Sequence, residues 1–211
     1  MKKICLVNGS LRGAKAASLQ FLNELDLRLN RADFSKTVLT VKAKVKDSYP
    51  EDMLKSIANS DAIVFIFPLH NYGIPGALFR LLEDFYRYTK TGNSYNKDAK
   101  IYMIVNCGFA RPIVNTEAIR VMKNFCRRLA FNWRFAVCIG TGPVVMLERK
   151  IPFLHSKLKK AFSNIAADIL SSNNQPSENC FIKPIIPAPV LIKIKNYYEK
   201  KGQLIEKPFP K

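Results

Sequence analysis

A chain of 211 residues, 48% of them hydrophobic, is long enough for one domain with a sizeable core, and its composition is not that of a disordered or fibrous protein. Its formal net charge of +18 attracts anions, whether nucleotides, acidic proteins, nucleic acid or anionic lipid. The five cysteines are odd in number and form no Cys-x-x-Cys pair, so they give no support for an iron–sulfur or zinc site and read as buried, reduced thiols.

The charge is uneven. Residues 111–175 carry 11 basic and 3 acidic side chains, against 5 and 4 over 61–110, which concentrates the anion-attracting field in the C-terminal half. No apolar run reaches the roughly 20 residues of a membrane span.

Residues 2–8 (KKICLVN) are a first strand. Their apolar stretch is too short for a signal peptide, and a cytoplasmic location is the expectation. Residues 15–30 place Leu19, Leu22, Leu25 and Leu29 at helical spacing. A β-branched strand follows at 36–43, a helix at 51–60 behind Pro50, and a buried-strand run at 61–67. Pro75 opens a helix through Leu78, Leu81, Leu82 and Phe85. Residues 100–106 form a strand, 115–131 a helix, 134–140 a fifth strand and 155–171 a last long helix. Strict alternation of five strands with helices predicts a parallel sheet covered on both faces, joined by right-handed crossovers. Residues 172–189, rich in Ser, Asn and Pro, read as a linker or surface excursion, and 190–200 as a short amphipathic helix. The division is a domain over 1–171 and a C-terminal extension over 172–211.

In such a sheet a ligand sits outside the carboxyl ends of the strands. The loop after the first strand runs Asn8-Gly9-Ser10-Leu11-Arg12-Gly13-Ala14-Lys15-Ala16-Ala17-Ser18 into a helix amino terminus, which suits a phosphate. Ser10 and Ser18 offer hydroxyls, and Arg12 and Lys15 offer charge. It is neither a G-x-G-x-x-G dinucleotide fingerprint nor a G-K-[ST] phosphate loop. The loop after the third strand is Pro68-Leu69-His70-Asn71-Tyr72-Gly73-Ile74-Pro75-Gly76. Its prolines and glycines present backbone amides in a rigid frame. His70 and Tyr72 supply flat faces, and Gly73 is the position expected to take a positive φ. The loop after the fourth strand begins Asn106-Cys107-Gly108-Phe109.

The G-S-x-R turn at 9–12 together with P-L-x-x-x-x-I-P-G-x-L-x-R at 68–80 resembles the NADPH-dependent FMN reductase family of the flavodoxin-like superfamily. The resemblance implies a doubly wound α/β fold with a five-stranded parallel sheet in the order 2-1-3-4-5. It implies FMN across the loops after strands one, three and four, with NAD(P)H as co-substrate. Ser10, Arg12 and Ser18 would hold the phosphate, with Lys15 beside them. Pro68, Leu69, His70, Asn71, Tyr72 and Gly73 would flank the isoalloxazine, and Asn106, Cys107 and Gly108 would line its other side. Hydride would pass through flavin N5, with no catalytic side chain required. Two departures stand out. Ala14, Ala16 and Ala17 replace hydroxyl or amide residues common in the phosphate turn, which points to modest FMN affinity, and His70 stands where the family commonly has Tyr.

The expectation is an oxidoreductase that reduces flavin, a quinone or another small electron acceptor. It would be a homodimer or higher homo-oligomer with the tail as an arm, with no nucleic-acid partner and no membrane insertion. The alternative is a flavodoxin-like electron-transfer or nucleotide-binding protein without reductase activity. Electron carriers of that kind are acidic as a class, and this chain is strongly basic.

Overall fold

The computed structural model describes residues 1–12, 16–30, 32–42, 48–142, 145, 156–173, 175–183, 185, 190 and 193. Five long strands make up most of the sheet. They are β1 (Lys2–Asn8), β2 (Phe34–Thr40), β3 (Ala62–Pro68), β4 (Lys100–Asn106) and β5 (Asn132–Ile139). Helices α1 (Ala17–Arg28), α2 (Glu51–Ala58), α3 (Gly76–Lys90), α4 (Thr116–Arg128) and α5 (Ser156–Leu170) alternate with them, and a short 3-10 turn at Pro112–Asn115 leads into α4.

The sheet is parallel throughout, with five strands in the order β2-β1-β3-β4-β5 and a sixth added beyond β5. The first five strands stand as the sequence implies. The sixth, β6 (Cys180–Ile182), comes from the segment expected to be a linker and pairs with Val137–Ile139 of β5. The expected amphipathic helix over 190–200 lies almost wholly outside the described residues.

Alternation along each strand builds two cores. Cys5, Val7, Ile63, Phe65, Phe67, Ile101, Met103 and Val105 face α2, α3 and α4. Ile4, Leu6, Val64, Ile66, Ile104, Val137 and Ile139 face α1 and α5. Burial on both faces explains why these runs are continuously apolar. On the first face Phe85 stacks on Phe131 at 5.9 Å, and Tyr95 meets Phe131 edge-on at 5.4 Å. On the second, Phe21 of α1 meets Phe162 of α5 edge-on at 6.4 Å.

The amino-terminal ends of β4 and β5 carry a buried polar network. Arg134 is fully buried and donates from Nε and Nη2 to the two oxygens of Asp168, each at 2.7 Å. Tyr102 Oη donates to the same carboxylate at 2.7 Å. Lys100 Nζ donates to the Asp168 and Ser171 carbonyls at the end of α5, at 2.6 and 2.7 Å. Burial pushes the Asp168 carboxyl up, but the hydrogen bonds from Arg134 and Tyr102 outweigh it and hold the group below its ordinary value. All five cysteines are unpaired. Burial pushes Cys5, Cys126 and Cys138 up to about 12, so they are inert thiols.

Candidate functional site

The order β2-β1-β3 makes the chain leave β1 toward one face of the sheet and β3 toward the other. Their loops therefore part at the carboxyl ends and open a crevice there. Gly9 marks its floor. A Cβ at that position would sit 2.8 Å from Phe67 Cβ, so only a glycine lets β1 run this close to β3.

Side chains shape the first loop. Asn8 Oδ1 accepts from Ser10 N at 3.1 Å, and Ser10 Oγ accepts from Arg12 N at 3.2 Å. These two linked turns hold Ser10 buried, with its hydroxyl proton left to donate, and turn Arg12 out to solvent. Lys15 lies outside the described residues. At α1 the N-cap is Ala16, which makes no side-chain cap, and the first turn holds no acidic residue. The amides of a helix's first turn lack helical acceptors, and here nothing in that turn neutralises the dipole. Ser18 sits in that turn, 1% exposed, and its Oγ has no hydrogen-bond partner among the described residues.

The second loop is a tight turn. His70 N donates to Gly73 O at 3.0 Å and Gly73 N to His70 O at 2.9 Å. The residues between them, Asn71 (φ 46°) and Tyr72 (φ 61°), carry the left-handed conformation, the pattern of a type I′ turn. Gly73 was the residue expected to need it and does not. The reciprocal bonds place the strained positions one and two residues earlier. Leu69 N donates to Asn106 O at 2.7 Å, fixing this loop to the end of β4. Pro68 ends β3, and His70 is exposed.

In the third loop Asn106 and Cys107 are buried and Gly108 is exposed. The Cys107 thiol turns inward, toward Phe109 O at 3.4 Å and Asn115 Nδ2 at 3.7 Å, so the residue presents no side chain to the crevice. Sequence reasoning gave no role to Phe109. Its ring stacks on Tyr72 at 5.5 Å with 20° between planes, although Phe109 is 48% and Tyr72 58% exposed. The fifth strand's loop joins this assembly through Thr141 N to Phe109 O at 2.8 Å and Gly142 N to Cys107 O at 3.0 Å.

Four buried side-chain polar atoms lack partners among the described residues. Three of them, Ser18 Oγ, Asn106 Oδ1 and Asn115 Oδ1, stand at the carboxyl-end loops. Buried polar atoms are almost always satisfied, so these three are the side-chain atoms at that end of the sheet with hydrogen-bonding capacity to spare among the described residues. The concavity at the other end of the sheet, 360 Å³ beside the Asp168 network, is lined by Asp168 and Glu178 and by no cationic side chain, which disfavours an anion there. Among the described residues no group of three His, Cys, Asp or Glu side chains is placed to hold a metal ion, and no helix is long and apolar enough to cross a membrane.

A family model described as the flavodoxin-like fold matches residues 2–113. No curated protein matches the chain. Solved structures with the same fold include an azoreductase from Bacillus anthracis, at 18% identity over 80% of this chain and 98% of that one, with a TM-score of 0.56. An NADH:FMN oxidoreductase in its apo form matches at 14% identity over 82% and 92%, with a TM-score of 0.60. An NAD(P)H:quinone oxidoreductase from Methanothermobacter marburgensis matches at 15% identity over 77% and 94%, with a TM-score of 0.53.

Proposed function

Because the chain belongs to the family of the flavodoxin-like fold, we propose that it is a flavin-dependent oxidoreductase that uses NAD(P)H to reduce flavin, a quinone or another small acceptor. The observation that carries this reading is the amino terminus of α1. There, among the described residues, a buried hydroxyl has no partner, and the first turn of the helix holds no carboxylate. A dianionic phosphate fits that chemistry, and the phosphate of FMN is the one this fold suggests. The names carried by the similar solved structures, an azoreductase and reductases of FMN and quinone, support the same class.

In this reading Ser10 and Ser18 donate hydroxyl bonds to the phosphate, and Arg12 and Lys15 supply it with cationic charge. The loop from Pro68 to Gly73 and the segment Asn106–Gly108 hold the ring system, chiefly through backbone groups of an already rigid turn. When bound, the flavin supplies the hydride chemistry, accepting from the nicotinamide and giving to the acceptor. The chain binds, orients and shields. The Tyr72–Phe109 pair gives the mouth an aromatic surface on which planar molecules stack. The same reading takes the chain as a homodimer or higher homo-oligomer.

The test is the absorbance spectrum of the purified protein after incubation with FMN and desalting. Retained flavin bands that bleach on anaerobic addition of NADPH are the expected result. A colourless protein that also fails to oxidise NADPH in the presence of excess free FMN would overturn the proposal.

A further inference from the structure

Helices α3 and α4 lie over the same face of the sheet, and between them runs a groove of 510 Å³. We propose that this groove is a docking site for an acidic, amphipathic helical segment of another protein. The proposal does not depend on flavin binding.

The groove has the register of a helix seat. Phe79, Leu82, Glu83, Tyr86 and Arg87 follow one another on α3 at steps of three, one, three and one residues, a single stripe along the helix. Val121, Asn124, Phe125 and Arg128 repeat that spacing on α4. Leu82, Tyr86 and Phe125 also pack against the core, so the floor is fixed. Phe79, at the end nearer the carboxyl ends of the strands, is 46% exposed, a large apolar side chain left in water at the mouth of an apolar trough.

Charge selects the occupant. Both helices return antiparallel to parallel strands, so their carboxyl ends meet at the same end of the groove. Arg87, Arg127 and Arg128 gather there. Arg87 lies 3.6 Å from Asp84, a carboxylate that Arg80 approaches more closely at 3.0 Å. Among the described residues no carboxylate forms an ion pair with Arg127 or Arg128. An apolar stripe along the trough with carboxylates over its arginine end satisfies both features, which is the helix-in-groove mode of recognition. A second copy of this chain offers no acidic match, because the groove's own lining holds one carboxylate, Glu83, against three arginines. A nucleic-acid backbone needs cations spaced along its path, and here they collect at one end of an apolar floor.

The test uses the full chain and a fluorescein-labelled helical peptide of about 16 residues, with Leu on one stripe and Glu elsewhere, read by anisotropy. A matched peptide with Lys in place of Glu is the control. Saturable one-to-one binding of the acidic peptide is expected, with the Lys peptide at least about tenfold weaker. Phe79→Asp, and separately Arg127→Gln with Arg128→Gln, should each weaken the acidic peptide about tenfold at unchanged thermal midpoint. Equal binding of both peptides, or acidic-peptide binding indifferent to both variants, would overturn the proposal. So would a single-stranded oligonucleotide that binds with the same variant sensitivity, or a homodimer that these variants dissociate in sedimentation, since each names a different occupant.

Discussion

Replacing Ser18, a residue 1% exposed, by Ala removes a buried oxygen that has no partner among the described residues. Among the described residues that oxygen makes no hydrogen bond, so its removal should leave the stability of the flavin-free protein unchanged or raise it by up to about 1 kcal/mol. A hydroxyl donating to a charged phosphate is worth about 1.5–3 kcal/mol. FMN affinity should therefore fall by about 10- to 150-fold, at 1.36 kcal/mol per factor of ten. Riboflavin has no phosphate, so its affinity should not move. Flavin fluorescence quenching gives both dissociation constants, and urea unfolding without flavin gives the stability. A Ser18→Ala protein that loses more than about 1 kcal/mol without flavin would show that the hydroxyl has a structural partner. Equal effects on FMN and riboflavin would remove the phosphate from the α1 terminus.

Three further outcomes follow from the geometry. Asp168→Asn should cost about 3–5 kcal/mol in chemical unfolding near neutral pH, because it strands the buried Arg134 guanidinium. Since the Asp168 carboxyl is held below its ordinary 3.8, its contribution is complete above that pH and disappears as pH falls through the lowered folded value. The substitution should flatten that part of the stability profile in acid. Gly140→Ala puts a Cβ 2.6 Å from the Ala110 carbonyl and 3.0 Å from that of Phe109. Because both obstacles are backbone, it should lower stability by about 1–3 kcal/mol and weaken flavin binding with it, and a wild-type melting curve would refute the close approach. Gly73→Ala should change stability by less than about 1 kcal/mol, since that position has no positive φ and its nearest obstacle is His70 O at 3.7 Å.

The strands were legible because β1, β3 and β4 are buried on both faces, and nothing but a continuous apolar run serves that environment. β6 was not. Cys180-Phe181-Ile182 is too short for periodicity to register, and its extended form comes from the open edge of β5 at Val137–Ile139. At the crevice, turn chemistry drew attention to Ser10 and Ser18. It misplaced the left-handed residues, since Gly73 is the natural candidate by composition and the reciprocal bonds with His70 assign that conformation to Asn71 and Tyr72. Phe109 was read only as part of a loop motif, because its partner Tyr72 is 37 positions away and meets it only in the folded chain. Asn115 follows the same logic, being tied to Cys107 across the loop.

The three-residue strand β6 has a practical consequence. Its last carbonyl, on Ile182, accepts from Gly140 N at 2.9 Å, and the next residue, Thr141, clasps Phe109 beside the crevice. A short hydrogen-bonded chain thus runs from the tail to the mouth of the site. Trimming the tail at residue 172, where its composition changes, would release that chain along with everything that follows it. The two losses would then be indistinguishable in one experiment. Ending the protein just beyond Lys183 keeps the clasp, and so separates the effect of losing β6 from that of losing the residues after it.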